Sequence, residues 1–318
     1  MKKNSGDFVK IVYMGTPQFA VPSLEALLNS KHDVTGVFTQ PDRPRGRGRK
    51  IDITPVKKEA LKYDIPVFQP NTLKDAEVFK NIEGLSPDMI VVVAFGQILP
   101  REILQIPKYG CINVHASLLP KYRGAAPINW AIINGEKNTG ITTIYMDTGI
   151  DTGDILLKKE IEIGKDETAG ELHDRLMELG AGVLCKTIEL IEADEIRPIP
   201  QEHSETSYAP MLTKGFGKID WEKPAEEIKN LIRGTIPWPT SYTTYSGRIM
   251  KILSSSVVHS SRDYEPGKIL EVKKDCIFVA TGKNILSIEE LQFSGRKRLS
   301  VNQYLIGNNI EIGKILGG

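Results

Sequence analysis

Short apolar runs alternate with stretches of helical period over the first 192 residues of the chain. Residues 10–14 (KIVYM), 33–39 (DVTGVFT), 65–68 (IPVF), 89–94 (MIVVVA) and 110–115 (GCINVH) predict strands. Between them, residues 19–30 place Ala20, Leu24, Leu27 and Leu28 on one helical face, and 55–63 and 127–134 also read as helices. The run 89–94 has no polar position, which predicts burial on both faces, as in a parallel sheet between helix layers. The alternation therefore predicts an α/β fold, doubly wound around a mostly parallel sheet. Residues 139–146 and 155–163 break the rhythm. The eight residues joining them are too few for a helical crossover, so this pair is expected to be antiparallel. Residues 168–192 close the domain as a long helix with Leu172, Leu176, Leu179 and Val183 on its buried stripe.

The pattern then changes. Residues 193–213 are polar and carry Pro198, Pro200 and Pro210, which is linker composition. After Trp221, residues 224–233 read as a helix, and five short strands follow at 242–245, 248–255, 267–272, 276–280 and 284–292. Turn signals separate them, and a small OB-like β-barrel is the expected second domain. Ser300 and Gln303 have the spacing of a capping box for a last helix. The division expected is one domain over 1–206 and a smaller one over 207–318.

Composition adds limits. With 318 residues, 40% hydrophobic and 25% charged, the chain has the make-up of a globular two-domain protein. No apolar run approaches the roughly 18–20 residues of a membrane helix, and the polar first ten residues argue against a secretory leader. Cys111, Cys185 and Cys276 lie far apart, which fits neither a disulfide framework nor a zinc site, so a reducing cytoplasm is expected. The net charge of +1 hides an asymmetry. Residues 1–206 hold 25 basic against 29 acidic side chains, whereas 207–318 hold 16 against 11. Within the acidic part sit residues 41–50 (PDRPRGRGRK), a basic segment too rich in Gly and Pro for a helix or a central strand. Charge asymmetry with a basic loop is the electrostatic footprint of a nucleic-acid binder.

The chemistry-bearing residues are few. The first strand leads into Met14-Gly-Thr-Pro-Gln18 with no G-x-G-x-x-G, Gly46 and Gly48 neither follow a strand nor open a helix, and no phosphate-loop motif occurs. The five histidines, 32, 115, 173, 203 and 259, form no cluster, so no metal is expected. What remains is Asn113-Val-His115 at the carboxyl end of a strand, where open α/β sheets bind ligands. Strand alternation puts Asn113 and His115 on one face. An amide donor beside an imidazole suits carbonyl chemistry, the first for a developing oxyanion and the second for that charge or a proton. An irregular loop, 116–127 (ASLLPKYRGAAP), follows. The loop 147–154 offers three carboxylates, Asp147, Asp151 and Asp154, and periodicity does not select among them.

Together, residues 113–124 (NVHASLLPKYRG), 151–154 (DTGD) and 91–100 (VVVAFGQILP) resemble the folate-dependent formyltransferases. The likeness runs from Met14-Gly-Thr-Pro17 to Ile219-Asp-Trp221 and Pro237-Trp-Pro239, and Thr39-Gln-Pro-Asp-Arg-Pro44 with its basic tail resembles the branch that acts on tRNA. That resemblance implies Asn113, His115 and Asp151 as the catalytic trio. It implies 10-formyltetrahydrofolate as formyl donor, held by Phe95, Gly96, Gln97, Ile98, Ser117, Leu118, Leu119 and Pro120. The implied acceptor is the α-amine of methionine on initiator tRNA, giving N-formylmethionyl-tRNA for translation initiation. Asn113 and a protonated His115 would stabilise the tetrahedral oxyanion, with Asp151 holding His115. Arg43, Arg45, Arg47, Arg49, Lys50, Lys121 and Arg123 are the implied tRNA contacts, and the enzyme is expected to be a cytoplasmic monomer. Rival readings are a formyltransferase acting on an amino sugar nucleotide, which would not need the basic loop, and a non-catalytic RNA-binding protein. The latter leaves the Asn-x-His pair idle, and a nicotinamide enzyme lacks its glycine fingerprint.

Overall fold

The computed structural model describes residues 8–45 and 50–317. The chain forms two compact units. The first holds the residues through Gly124 together with Thr139–Ile161 and His173–Tyr208; the second holds Ala125–Asn138, Glu162–Leu172 and the chain from Ala209 onward.

The strands of the first unit are β1 (Lys10–Gly15), β2 (Asp33–Phe38), the short β3 (Arg43–Arg45) and β4 (Lys50–Asp52), β5 (Val67–Phe68), β6 (Met89–Val93), β7 (Cys111–His115), β8 (Asn138–Tyr145) and β9 (Ile155–Glu162). Seven of them form one sheet in the order β5-β2-β1-β6-β7-β8-β9. From β5 to β7 all neighbours are parallel, as the sequence pattern predicts. β8 runs antiparallel to β7. β9 runs antiparallel to β8, with Tyr145 N–H donating to the Asp154 carbonyl at 2.9 Å and Thr143 Oγ1 to that of Leu157 at 3.4 Å. Every residue of β6 is buried, as its uninterrupted apolar run requires.

The helices through residue 192 are α1 (Val21–Leu28), α2 (Pro55–Ala60), α3 (Ala76–Gly84), α4 (Arg101–Leu104), α5 (Pro127–Ile133) and α6 (Ala169–Glu192). Thr54 caps α2 by accepting from Lys57 N–H at 3.2 Å. The sequence pattern misses α3 and α4. Only Val78 and Ile82 of α3 are buried and α4 is a single turn, so neither writes an apolar stripe. The core on one side of the sheet gathers Val12, Met14, Phe38, Ile82, Ile90, Val92, Phe95 and Cys111. Burial there pushes the Cys111 thiol up to about 12. Its stabilising contribution is full below the thiol's unfolded value of about 8.5 and falls as pH climbs from there toward 12. At pH 8 an alkylating reagent should therefore modify Cys185 and Cys276, which are half-buried, and reach Cys111 only after denaturation. Peptide mass mapping reads this directly, and rapid labelling of Cys111 in the native protein would contradict it.

The stretch expected as a linker is structured instead. Ile199 exchanges backbone hydrogen bonds with Ile155 at 2.8 and 2.9 Å. Pro198 and Pro200 favour extended backbone, and Ile199 between them keeps its N–H, so the segment can pair with a strand. The basic segment is a two-stranded ribbon, with Arg43 opposite Asp52 and Arg45 opposite Lys50 in the antiparallel register of β3 and β4.

In the second unit, α7 (Ala225–Gly234) is followed by β10 (Ser241–Tyr245), β11 (Arg248–Val258), β12 (Ile269–Val272), β13 (Ile277–Ala280), β14 (Ile285–Phe293), β15 (Leu299–Ser300) and α8 (Val301–Leu305). The antiparallel order is β10-β11-β14-β13-β12, with β15 on β14. Trp221, Ile228, Ile232, Met250, Ile252, Ile288 and Phe293 fill its core. Ser300 and Gln303 form the expected capping box of α8. Among the described residues, the strands do not close into a barrel. Among the same residues, no helix is long and apolar enough to cross a membrane.

Candidate active site

The register of the sheet brings three loops to one edge. Met14 of β1 pairs with Val92 of β6, which pairs with Asn113 of β7, so the chain leaves all three strands at the same level. Strand order reverses between β1 and β6, and the crevice outside such a reversal is where open α/β sheets take their ligands. The Phe95 carbonyl ties the edge together, accepting from Thr16 Oγ1 at 3.0 Å and Gln40 Nε2 at 3.3 Å.

Asn113 and His115 share a face of β7, as alternation requires. Asn113 is half-buried and His115 buried. Of the three loop aspartates, Asp151 is the one that meets them. Its Oδ1 accepts from Asn113 Nδ2 at 3.1 Å, and its Oδ2 lies 3.5 Å from His115 Nδ1. The same Oδ2 accepts from the Gly124 N–H at 2.9 Å. His115 Nε2 lies 2.9 Å from the Tyr122 carbonyl; that oxygen only accepts, so Nε2 carries a hydrogen and Nδ1 is the nitrogen turned to the carboxylate. Asp151 has φ 53, in the left-handed region that a side-chain-bearing residue enters at a cost. Asp147 is spent on its own loop, accepting from Gly149 N–H and Thr152 Oγ1.

The other expected contacts divide by burial. Phe95, Ser117, Leu119 and Pro120 are buried, Gln97 and Leu118 are half-buried, and Gly96 and Ile98 are exposed. Ser117 Oγ donates to the Lys121 carbonyl at 2.6 Å, and the Ser117 carbonyl accepts from Thr142 Oγ1, so this residue shapes its loop. Leu119 packs with Ile144 and Ile155. Gln97 pins its loop through the Pro70 carbonyl and the Leu73 N–H. Ile98, 67% exposed, and Ile150, 57% exposed, offer apolar surface on two of the loops that flank Asp151 and the strand ends. An amide donor, a carboxylate and exposed apolar side chains fit a ligand with a carbonyl group and a flat ring system. Among the described residues, no group of three His, Cys, Asp or Glu side chains could hold a metal ion.

Arg123 corrects the sequence reading. Expected to face RNA, it is 2% exposed, with Nε and Nη2 both donating to Gln201 Oε1 at 3.1 and 2.6 Å. A charged residue on an irregular loop reads as solvated, and only the fold reveals its partner 78 residues away. Lys121 and Arg43 are exposed. Arg45 and Lys50 lie in the β3–β4 ribbon by their backbone, while Arg47 and Arg49 fall outside the described residues. At the root of the ribbon, a cluster the sequence did not announce joins Asp42, Lys57 and Gln69. Lys57 Nζ lies 2.5 Å from Asp42 Oδ2 and donates to Gln69 Oε1, and Gln69 Nε2 donates to Asp42 Oδ1. The Lys57 ammonium, helped by Gln69, holds the Asp42 carboxyl below its usual value.

Comparison with known proteins identifies the family of the chain. The formyl transferase family matches residues 9–188, and the C-terminal domain of formyl transferases matches residues 211–309. A methionyl-tRNA formyltransferase of Alkaliphilus oremlandii is 68% identical over 97% of this chain and 100% of its own length. That of Clostridioides difficile is 53% identical over 97% of this chain and 100% of its own. Among solved structures, an N-formyltransferase from Helicobacter canadensis, in complex with folinic acid and dTDP-3-aminofucose, shares the fold at 21% identity. Its TM-score is 0.65 over 89% of this chain and 100% of that one. The chain belongs to the formyl transferase family, within the group of methionyl-tRNA formyltransferases.

Proposed function

We propose that Asn113, His115 and Asp151 are the catalytic residues with which this chain transfers the formyl group of 10-formyltetrahydrofolate to the α-amine of methionyl initiator tRNA. The observation that carries the residue assignment is the Asp151 carboxylate, met by Asn113, Gly124 and His115 at the carboxyl end of β7, the strand next to β6. The co-substrate, when bound, supplies an electrophilic formyl carbon. Asn113 gives one amide hydrogen to Asp151, which aims the second at a formyl oxygen as negative charge develops there. The amine must shed a proton to complete the new C–N bond. The Asp151–His115 pair accepts it and returns a proton to the departing nitrogen, so the balance closes within the site. Exposed Ile98 and Ile150 would hold the donor's ring system, with the backbone of the 95–98 and 117–120 segments around it.

For the RNA, the reading assigns the ribbon 43–52 and Lys121 to the acceptor end, and the net-positive residues 207–318 to the stem, with the chemistry within 1–206. An OB-like second domain is supported by the five-strand antiparallel order. It is also supported by the C-terminal segment, which hydrogen-bonds to Ile269 beside one edge and to Thr244 at the other. A cytoplasmic monomer suits this role. Transfer of labelled formyl to charged initiator tRNA, with elongator methionyl-tRNA alongside, tests the whole reading. Product on the initiator alone supports it, and product on an amino sugar nucleotide instead would overturn it.

The basic ribbon has its own expected result. Arg43→Ala should raise KM for tRNA and leave KM for the folate unchanged. For each phosphate that is no longer neutralised, the salt dependence of RNA binding should flatten by about 0.7–0.9 log units per log unit of salt. Equal effects on both KM values would contradict the assignment.

A further inference from the structure

Three consecutive residues of the loop after β7 each hold a different part of the site. The Tyr122 carbonyl takes His115 Nε2, the Arg123 guanidinium takes Gln201, and the Gly124 N–H takes Asp151 Oδ2. Gln201, itself buried, completes the ring: its Nε2 donates to the carbonyls of Asp151 at 2.8 Å and Gly153 at 2.7 Å. A glutamine amide can be turned either way, and here Arg123 decides. Two guanidinium hydrogens demand an acceptor, so Oε1 faces them and both amide hydrogens are left for the two carbonyls. Those carbonyls flank the turn in which Asp151 adopts its left-handed backbone, a conformation that persists only when neighbours hold it. The same loop residues are also tied by their backbone to the segment that carries Gln201, with Tyr122 N–H donating to Ser207 Oγ at 3.0 Å and Arg123 N–H to the Ser207 carbonyl at 2.9 Å.

We infer that Gln201 and Arg123 are positioning residues for the formyl transfer: Arg123 orients the Gln201 amide, and Gln201 clamps the Asp151 backbone so that its carboxylate meets Asn113 and His115. This rests on the assignment of Asp151 to the chemistry. The pair touches no substrate in this reading, and its effect passes wholly through the placement of one carboxylate.

Gln201→Glu separates clamping from folding. A carboxylate at this position still satisfies the buried guanidinium, and the stronger charge-assisted pair offsets the two lost amide hydrogen bonds, so the thermal midpoint should stay close to that of the wild type. It offers no hydrogen to the Asp151 and Gly153 carbonyls and repels both, so Asp151 should shift. The expected result is a kcat lowered by about 10–100-fold, the range for residues that orient a catalytic group, with KM for tRNA and folate unchanged and the pH profile of kcat altered. Arg123→Met, which frees the amide to turn, should lower kcat in the same way. Asp151→Asn is run alongside. An inactive Asp151→Asn with fully active Gln201→Glu and Arg123→Met would overturn the inference while leaving the site assignment standing. A fully active Asp151→Asn would overturn both. If kcat falls only in step with a falling thermal midpoint, the pair is merely structural and the inference fails.

Discussion

Asp151→Asn is expected to lower kcat by about 10²–10⁴-fold, the usual range for losing a group that moves a proton in the transition state. The substitution is nearly isosteric, so the loss is one of hydrogen-bond polarity. Both carboxylate oxygens receive donors, Asn113 Nδ2 on Oδ1 and the Gly124 N–H on Oδ2. An asparagine has a single acceptor. In one orientation its NH2 group faces the Gly124 N–H and the Nδ1 edge of His115; in the other it faces the Asn113 amide. Either way a donor meets a donor, which costs about 1–3 kcal/mol where the group is out of water. The amide also has no capacity to take the amine's proton. The wild-type rate should rise with pH as the attacking α-amine, whose ordinary value is about 7.7–8.0, sheds its proton. In the variant most of the rate should be lost at every pH, because no carboxylate is left to take a proton at the site. Steady-state kinetics across pH would measure this, and an unchanged rate with an unchanged profile would remove Asp151 from the chemistry.

How far the site could be read in advance depends on what each residue's neighbours in sequence reveal. β6 is legible because its apolar run, MIVVV, states a buried strand without help from the rest of the chain, and β7 because CINVH is a short, mostly apolar segment opening after a glycine. Asn113 and His115 follow from strand alternation at a carboxyl end. The choice of Asp151 over Asp147 and Asp154 does not follow from the local pattern. All three lie in one turn, and what selects Asp151 is the left-handed backbone at that residue together with the Gly124 N–H 27 residues earlier. Arg123 and Gln201 are misread for related reasons. A guanidinium in a Gly- and Pro-containing loop has the composition of a solvated residue, and Gln201 lies in a polar, proline-rich stretch with the composition of a linker. Their partner atoms are 78 residues apart, and no local period encodes such a pairing. The second unit is the converse case. Its strands are short, but the turn signals between them are strong, so Ser241–Tyr245, Ile277–Ala280 and Ile285–Phe293 fall close to their expected positions. Whether those strands close is set by long-range pairing at the two edges, and the spacing of turns is silent on that.

The second large effect is expected from Gly153→Ala, and the same substitution at Gly182 should act in the opposite direction. At Gly153 the backbone is not in the left-handed region, so the requirement for glycine is one of space. A Cβ there would overlap the Tyr145 carbonyl oxygen, with the carbonyl carbon at 2.8 Å. That obstacle is backbone, fixed by the closing hydrogen bond from Tyr145 N–H to the Asp154 carbonyl on one side and by Gln201 Nε2 on the Gly153 carbonyl on the other. No side chain can swing away, so the β8–β9 turn must open and carry Asp151 with it. Overpacking of this kind costs about 1–3 kcal/mol. For a domain of this size that lowers the thermal midpoint by about 2–4 °C per kcal/mol. Activity should fall further than the stability loss explains, because the residue two positions away is the carboxylate. Gly182 lies inside α6, and among the described residues a Cβ there meets nothing within 4 Å. Alanine at that position removes unfolded-state freedom at no steric cost and should stabilise by about 0.5–1 kcal/mol with activity unchanged. Thermal unfolding and kcat of the two variants together check the argument. A Gly153→Ala protein with wild-type kcat would show that the turn can relax without moving Asp151.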